Sequence, residues 1–153
     1  MARIRVSFDS NVFISFLLSA SGASSVIQSL FKRASLLDFE LVVPEAVRLE
    51  VLATVANKPA LSKRISEADI QQFESFLQSV ASVTPLRQLT IPSIVRDSKD
   101  DLIIAYALDA EVDYSASVDK DLLVLGDTIA PLKIRSPQAF LDDVERESGA
   151  GMG

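Results

Sequence analysis

The chain has 153 residues, 48% of them apolar and 24% charged, the size and balance of one globular domain rather than of a disordered segment. It contains no Cys and no His, which excludes disulfides, thiolate or imidazole metal sites and any triad built on histidine. Its net charge of −6 argues against a protein that grips a long stretch of nucleic acid through the phosphates, while a small contact stays open.

The chain opens with Ile4 to Phe8, which alternates apolar and polar as a strand does, and Asp9-Ser10-Asn11 then supplies capping residues before an apolar helix. Arg3 and Arg5 followed by Val12 to Leu18 imitate a signal peptide, but Asp9 and Asn11 interrupt the stretch and leave it far short of the ~20 apolar residues a bilayer needs. No membrane contact is expected, and a chain without Cys is compatible with a reducing cytoplasm, the location expected here. Gly22 to Ser25 punctuates the sequence, and Val26, Ile27, Leu30 and Phe31 recur at helical spacing. Phe39 to Val43 reads as a second strand, with Pro44 as the first residue of a helix through Glu50 and Val51.

Asn57 to Arg64 reads as a polar connection, and Ser66 and Asp69 as the capping pair of a helix carrying Ile70, Phe73, Phe76, Leu77 and Val80 on one face. A short third strand is expected over Val83 to Leu86 and a loop over Arg87 to Arg96. A helix follows Ser98, then a fourth strand over Asp113 to Val118, a fifth over Lys133 to Arg135, and a closing helix from Pro137 to Val144. This alternation predicts an α/β fold with three layers, α/β/α, around a central parallel sheet of four to five strands. One domain is expected over residues 1–145, with a flexible tail over 146–153.

In open α/β sheets the functional crevice lies outside the carboxyl ends of the strands. Asp9 follows the first strand and Asp119 the fourth; Glu50 lies about two turns into the helix after the second strand, and Asp101 in the first turn of the helix before the fourth. Taken singly, Asp9 could cap a helix, Asp101 could be the acid of a capping box begun by Ser98, Glu50 could be a solvated residue near Arg48, and Asp119 could order a turn. Their common placement at one end of the sheet points instead to a shared site. Converging carboxylates repel unless a cation neutralises them, and oxygen-only ligands suit Mg²⁺ or Mn²⁺. Such an ion acidifies water and stabilises a leaving oxygen, so metal-assisted hydrolysis of a phosphodiester is the expected chemistry.

Val6 to Val12 resembles the opening D-x-N motif of PIN-domain nucleases. Val43 to Glu50 is similar to that family's strand-Pro-helix segment ending in the second acid, and Asp97 to Ala105 and Tyr114 to Leu123 resemble the third- and fourth-acid segments of its toxin subgroup. The resemblance runs from about Arg3 to Asp143 and implies metal-binding and catalytic roles for Asp9, Glu50, Asp101 and Asp119, with Asn11 and Ser117 as polar support. Asp100 and Asp121 compete with Asp101 and Asp119 for two of these places; Asp101 is preferred because it directly precedes the apolar helix face. Further implications are Mg²⁺-dependent (or Mn²⁺-dependent) endoribonuclease activity on an RNA substrate, a homodimer, and a small antitoxin protein as partner in a prokaryotic toxin-antitoxin system. In that reading Asp9, Glu50 and Asp101 hold the first metal and Asp119 completes the pocket or a second site.

Two other readings compete. A non-catalytic PIN-like module would keep the pocket for metal and partner binding. A phospho-acceptor receiver would need paired acids after the first strand, where this chain offers Asp-Ser-Asn. Lys58, Lys63 and Arg64 can guide RNA phosphates or simply face solvent, and Ile70, Phe73 and Phe76 can pack inward or form a dimer face.

Overall fold

Strand β1 (Arg5–Phe8) leads through Asp9 into helix α1 (Ser10–Leu17), the strand-to-helix turn that the sequence predicts. The computed structural model describes residues 3–18, 25–86 and 98–151, with backbone alone at 25, 98–101 and 148–151. After β1 and α1 come α2 (Ser25–Ser35), β2 (Glu40–Pro44), α3 (Glu45–Asn57), α4 (Pro59–Ser62), α5 (Glu67–Val80) and β3 (Ser82–Thr84). The remaining elements are α6 (Ser98–Asp109), β4 (Tyr114–Ala116), α7 (Lys120–Leu123), β5 (Lys133–Arg135) and α8 (Pro137–Gly151).

The strands form one parallel sheet in the order β3-β2-β1-β4-β5, paired Val43 to Val83, Val6 to Leu41, Phe8 to Ala116 and Ser115 to Ile134. Side chains alternate across a strand, and β2 displays the result: Leu41 and Val43 enter one apolar core while Val42 enters the other. One core gathers Phe8, Phe13, Phe31, Phe39, Phe73 and Phe140; the other lies under α6 and includes Ile104, Leu122 and Ile134. Helices therefore cover both faces of the sheet, the three-layer α/β/α arrangement expected. Phe8 holds the first core together, with ring centroids 5.6 Å from Phe13 and 5.5 Å from Phe31. Phe73 is fully inside, Phe76 packs 5.5 Å from Phe31, and Ile70 lies partly buried against the same core.

Several boundaries differ from expectation. Pro44 is the last residue of β2 and the N-cap of α3 rather than its first helical residue, because its ψ of 139° is still extended. The connection after Asn57 contains a helical turn, α4, begun by Pro59 at its first position, where a missing N–H costs nothing. Strand β3 starts and ends earlier than Val83 to Leu86, stopping before Pro85. Helix α8 continues past Val144 to Gly151, so most of the expected tail is helical. Helix α7 was not anticipated. The punctuation before Ser25 and the loop over Arg87 to Arg96 lie outside the described residues. Among the described residues no helix is long and apolar enough to cross a membrane.

The strand order reverses direction between β1 and β4. From β1 the chain winds outward to β2 and β3 on one side, then crosses back to β4 and β5 on the other. In open α/β sheets such a reversal is where the functional crevice forms, which directs attention to the residues leaving the carboxyl ends of β1 and β4.

Candidate metal centre

The residue that leaves β1 at that crevice is Asp9, whose amide donates to the Ala116 carbonyl at 2.9 Å and so continues the ladder one step past the strand. Its partner across the crevice is Ser117, the first residue beyond β4, whose amide is held in turn by the Arg135 carbonyl at 3.0 Å. Backbone pairing on both sides therefore fixes the two side chains face to face. Ser117 Oγ donates to Asp9 Oδ2 at 2.9 Å and accepts the Asp119 amide at 3.0 Å. One hydroxyl thus binds both loops together.

Asp9 occupies the N-cap of α1, yet its carboxylate makes no capping bond. It is turned instead toward Ser117 and, at 3.3 Å, toward Ser10 Oγ. Asp9 is only 2% exposed, and Ser117 is fully buried. Burial pushes the Asp9 carboxyl above its ordinary value; hydrogen bonds from Ser117 and Ser10 and attraction to the amides of Ser10 and Asn11 lower it but do not overcome the desolvation. No Lys or Arg among the described residues pairs with it. An acid buried beside hydroxyls and helix-start amides, without a cation, is a site that a divalent ion would complete.

Asp119 is half-buried at the mouth. Its Oδ1 accepts the Asp121 amide at 2.9 Å, capping α7, which is the local turn role considered for it, while its own amide ties it to Ser117 and so to Asp9. Asp121 is exposed in the first turn of α7 and has no such tie. Asn11 is exposed on α1.

Glu50 lies on α3, partly buried, in the wall of a cleft of about 440 Å³ formed with α6. Asp9 does not line that cleft. The Glu50 side chain is not the partner of Arg48, which reaches Glu45 at 2.5 Å and Glu74 at 2.6 Å and so straps α3 to α5. Arg48 in turn holds the Glu45 carboxyl below its usual range. Asp101 falls in the first turn of α6, next to Leu102 of the same cleft; its side chain, like that of Asp100, is outside the described residues. Among the described residues no three acids come close enough to form a metal-holding group. The direct linkage is therefore Asp9 to Ser117 to Asp119, while Glu50 shares the walls of a cleft with Leu102 and Ile103 of α6.

Sequence reasoning passed over the cleft and the Arg48 strap. The face Ala46, Glu50, Ala53, Thr54, Asn57 recurs at helical spacing, with small residues on either side of a single acid, and that pattern is the signal of a hollow beside a charged group. Tyr106 on α6 reads as one more apolar helix position, although it also lines the cleft.

A protein-family model described as PIN domain matches residues 5–121, which take in Asp9, Glu50, Asp101, Ser117, Asp119 and Asp121. No curated protein matches the chain.

Proposed function

The chain belongs to the PIN-domain family, a nuclease fold, and from that premise we propose that it is a Mg²⁺- or Mn²⁺-dependent endoribonuclease hydrolysing RNA phosphodiester bonds. The observation that supports this most is the buried Asp9 carboxylate at the strand-order reversal, tied through Ser117 to Asp119 and lacking a cation among the described residues. Asp9, Glu50 and Asp101 would hold the ion, and Asp119 would complete the pocket or a second site. The bound ion supplies acidification of water and neutralisation of charge at the scissile phosphate, work that a chain without His cannot give to an imidazole.

The protein's own residues do the positioning. Ser117 donates to Asp9 Oδ2 and so keeps this carboxylate turned toward the crevice instead of onto the helix start. Its oxygen also takes the Asp119 amide, so the two acids keep their spacing when substrate enters. Burial of Asp9 removes competing water, which strengthens its hold on a cation.

Cleavage of RNA with Mg²⁺, with Mn²⁺ and with EDTA tests the proposal. Wild type is expected to cut only with a divalent ion, and Asp9→Asn and Asp101→Asn to slow cutting by roughly 100-fold or more. Equal activity in all of these would sink it. The resemblance of Asp97 to Ala105 and of Tyr114 to Leu123 to the toxin subgroup supports a role as the toxin of a toxin-antitoxin pair, acting as a homodimer restrained by a small antitoxin. A gene for a small protein directly beside this one, whose product blocks cleavage, is the expected companion.

A further inference from the structure

The cleft between α3 and α6 has no part in holding the ion beyond contributing Glu50, and its remaining walls are of a different kind. Val47, Ala53, Leu102 and Ile103 make it mainly apolar, Tyr106 adds an aromatic ring, and Thr54 and Asn57 add hydrogen-bonding groups on one wall. Lys58, at the C-cap of α3, closes the far end from Glu50 and pairs with no carboxylate among the described residues. At 1.5 Å per residue, Glu50 and Lys58 stand about 12 Å apart along α3.

Resting on the endoribonuclease reading, we infer that this cleft is the base-specificity subsite for a nucleotide flanking the scissile phosphate of single-stranded RNA. Four features fit that ligand together. A nucleobase has flat apolar faces and a polar edge, which is the pairing of Tyr106 and aliphatic walls with Thr54 and Asn57. The volume, about 440 Å³, suits one small ring system and its sugar rather than a helix or a long peptide. Glu50 stands on one wall and Leu102, which follows Asp101 in the chain, on the other, so a nucleoside in the cleft would bring one phosphate toward the acids. The other phosphate then falls toward Lys58, in a chain whose net charge of −6 gives RNA no overall attraction. Tyr106 is the stacking platform, Asn57 and Thr54 read the base edge, and Lys58 anchors the outer phosphate.

Binding is measured with the Asp9→Asn protein, which keeps RNA uncut, and fluorescent seven-residue oligoribonucleotides, including a set abasic at one position at a time. Tyr106→Leu, which retains apolar bulk, is expected to weaken the intact oligonucleotides roughly tenfold. It should leave unchanged the one whose abasic position coincides with the cleft. Lys58→Ala should weaken all of them a few-fold and flatten the salt dependence by about one phosphate contact. In the otherwise wild-type enzyme with Mg²⁺, Asn57→Ala should broaden the choice of cleavage site, an effect that mere loss of stability would not produce. No measurable binding, or equal binding by the Tyr106→Leu and parent proteins, overturns the subsite, and the latter would leave the cleft to an apolar peptide. Wild-type cleavage scored beside these assays separates the cases: cutting with an inert cleft removes the subsite alone, whereas no cutting under any divalent ion removes the endoribonuclease reading.

Discussion

Asp9 is the residue on which local chemistry and fold meet. Nothing in its immediate sequence forces it into the interior, and a helix N-cap is the role its position would ordinarily give it. The pairing of β1 with β4 instead presents Ser117, and the carboxylate turns to that hydroxyl. The arrangement disfavours the ionised form, because burial raises the native carboxyl above the value of 3.8 that an unhindered aspartate would have. Between that value and the raised one, the folded protein retains a proton that the unfolded chain has lost. Stability of the metal-free protein should therefore fall as pH rises through that window and stay lower above it. Thermal melts in EDTA from about pH 4 to about pH 7 are expected to trace this decline for wild type and not for Asp9→Asn. At neutral pH the variant should be more stable by roughly 1 kcal/mol, the usual trade between function and stability at such sites. A wild-type profile no steeper than that of the variant would remove the burial argument.

Among the elements, α3 carries the most consequence, since it bears Glu50 and one wall of the cleft and is held by the Arg48 strap to α5. Arg48 and both its partners are partly sheltered, each side chain between 24% and 31% exposed, so the strap is worth more than a surface ion pair. Arg48→Ala should lower stability in urea by about 1 to 2 kcal/mol, against a few tenths for the exposed Arg64→Ala, and should loosen Glu50 with it. Local signals made several elements legible: the Ser66 and Asp69 capping box was found with both reciprocal bonds, at 3.1 and 2.9 Å, and Lys133 to Arg135 was found as β5. The two four-residue helices α4 and α7 were not legible, because single turns lack stability of their own and exist only against the body of the fold. The same division holds at the site. The position of Asp9 could be read from a strand that stops at an acid, whereas Ser117 entered only through the family resemblance, because its bond to Asp9 depends on a pairing 108 residues away.

For the molecule as a whole, the net negative charge limits how RNA, the substrate proposed for it, could be held. A protein that covers many phosphates loses affinity steeply with salt, whereas a net charge of −6, with Lys58 the cation lining the cleft among the described residues, favours one or two such contacts. The affinity of the Asp9→Asn protein for single-stranded RNA should therefore fall with salt at a logarithmic slope of about −0.7 to −1.4. Titrations at several KCl concentrations check this. A slope of about −4 or steeper would point to a basic track along the surface. Weak electrostatic holding would place the burden of selection on the proposed ion and on the base proposed to sit in the cleft.

The reversal of strand order between β1 and β4 has a consequence in time as well as in space. Asp9 leaves the ribosome well before Ser117, and the hydroxyl that aims it arrives only 108 residues later. Until β4 slides in beside β1, the first strand has only one of its two neighbours and the crevice has only one lip. On the endoribonuclease reading proposed above, such a chain is born against the largest RNA assembly in the cell. By drawing the two sides of the candidate site from separate stages of synthesis, the fold would leave a nascent nuclease incomplete until β4 is in place.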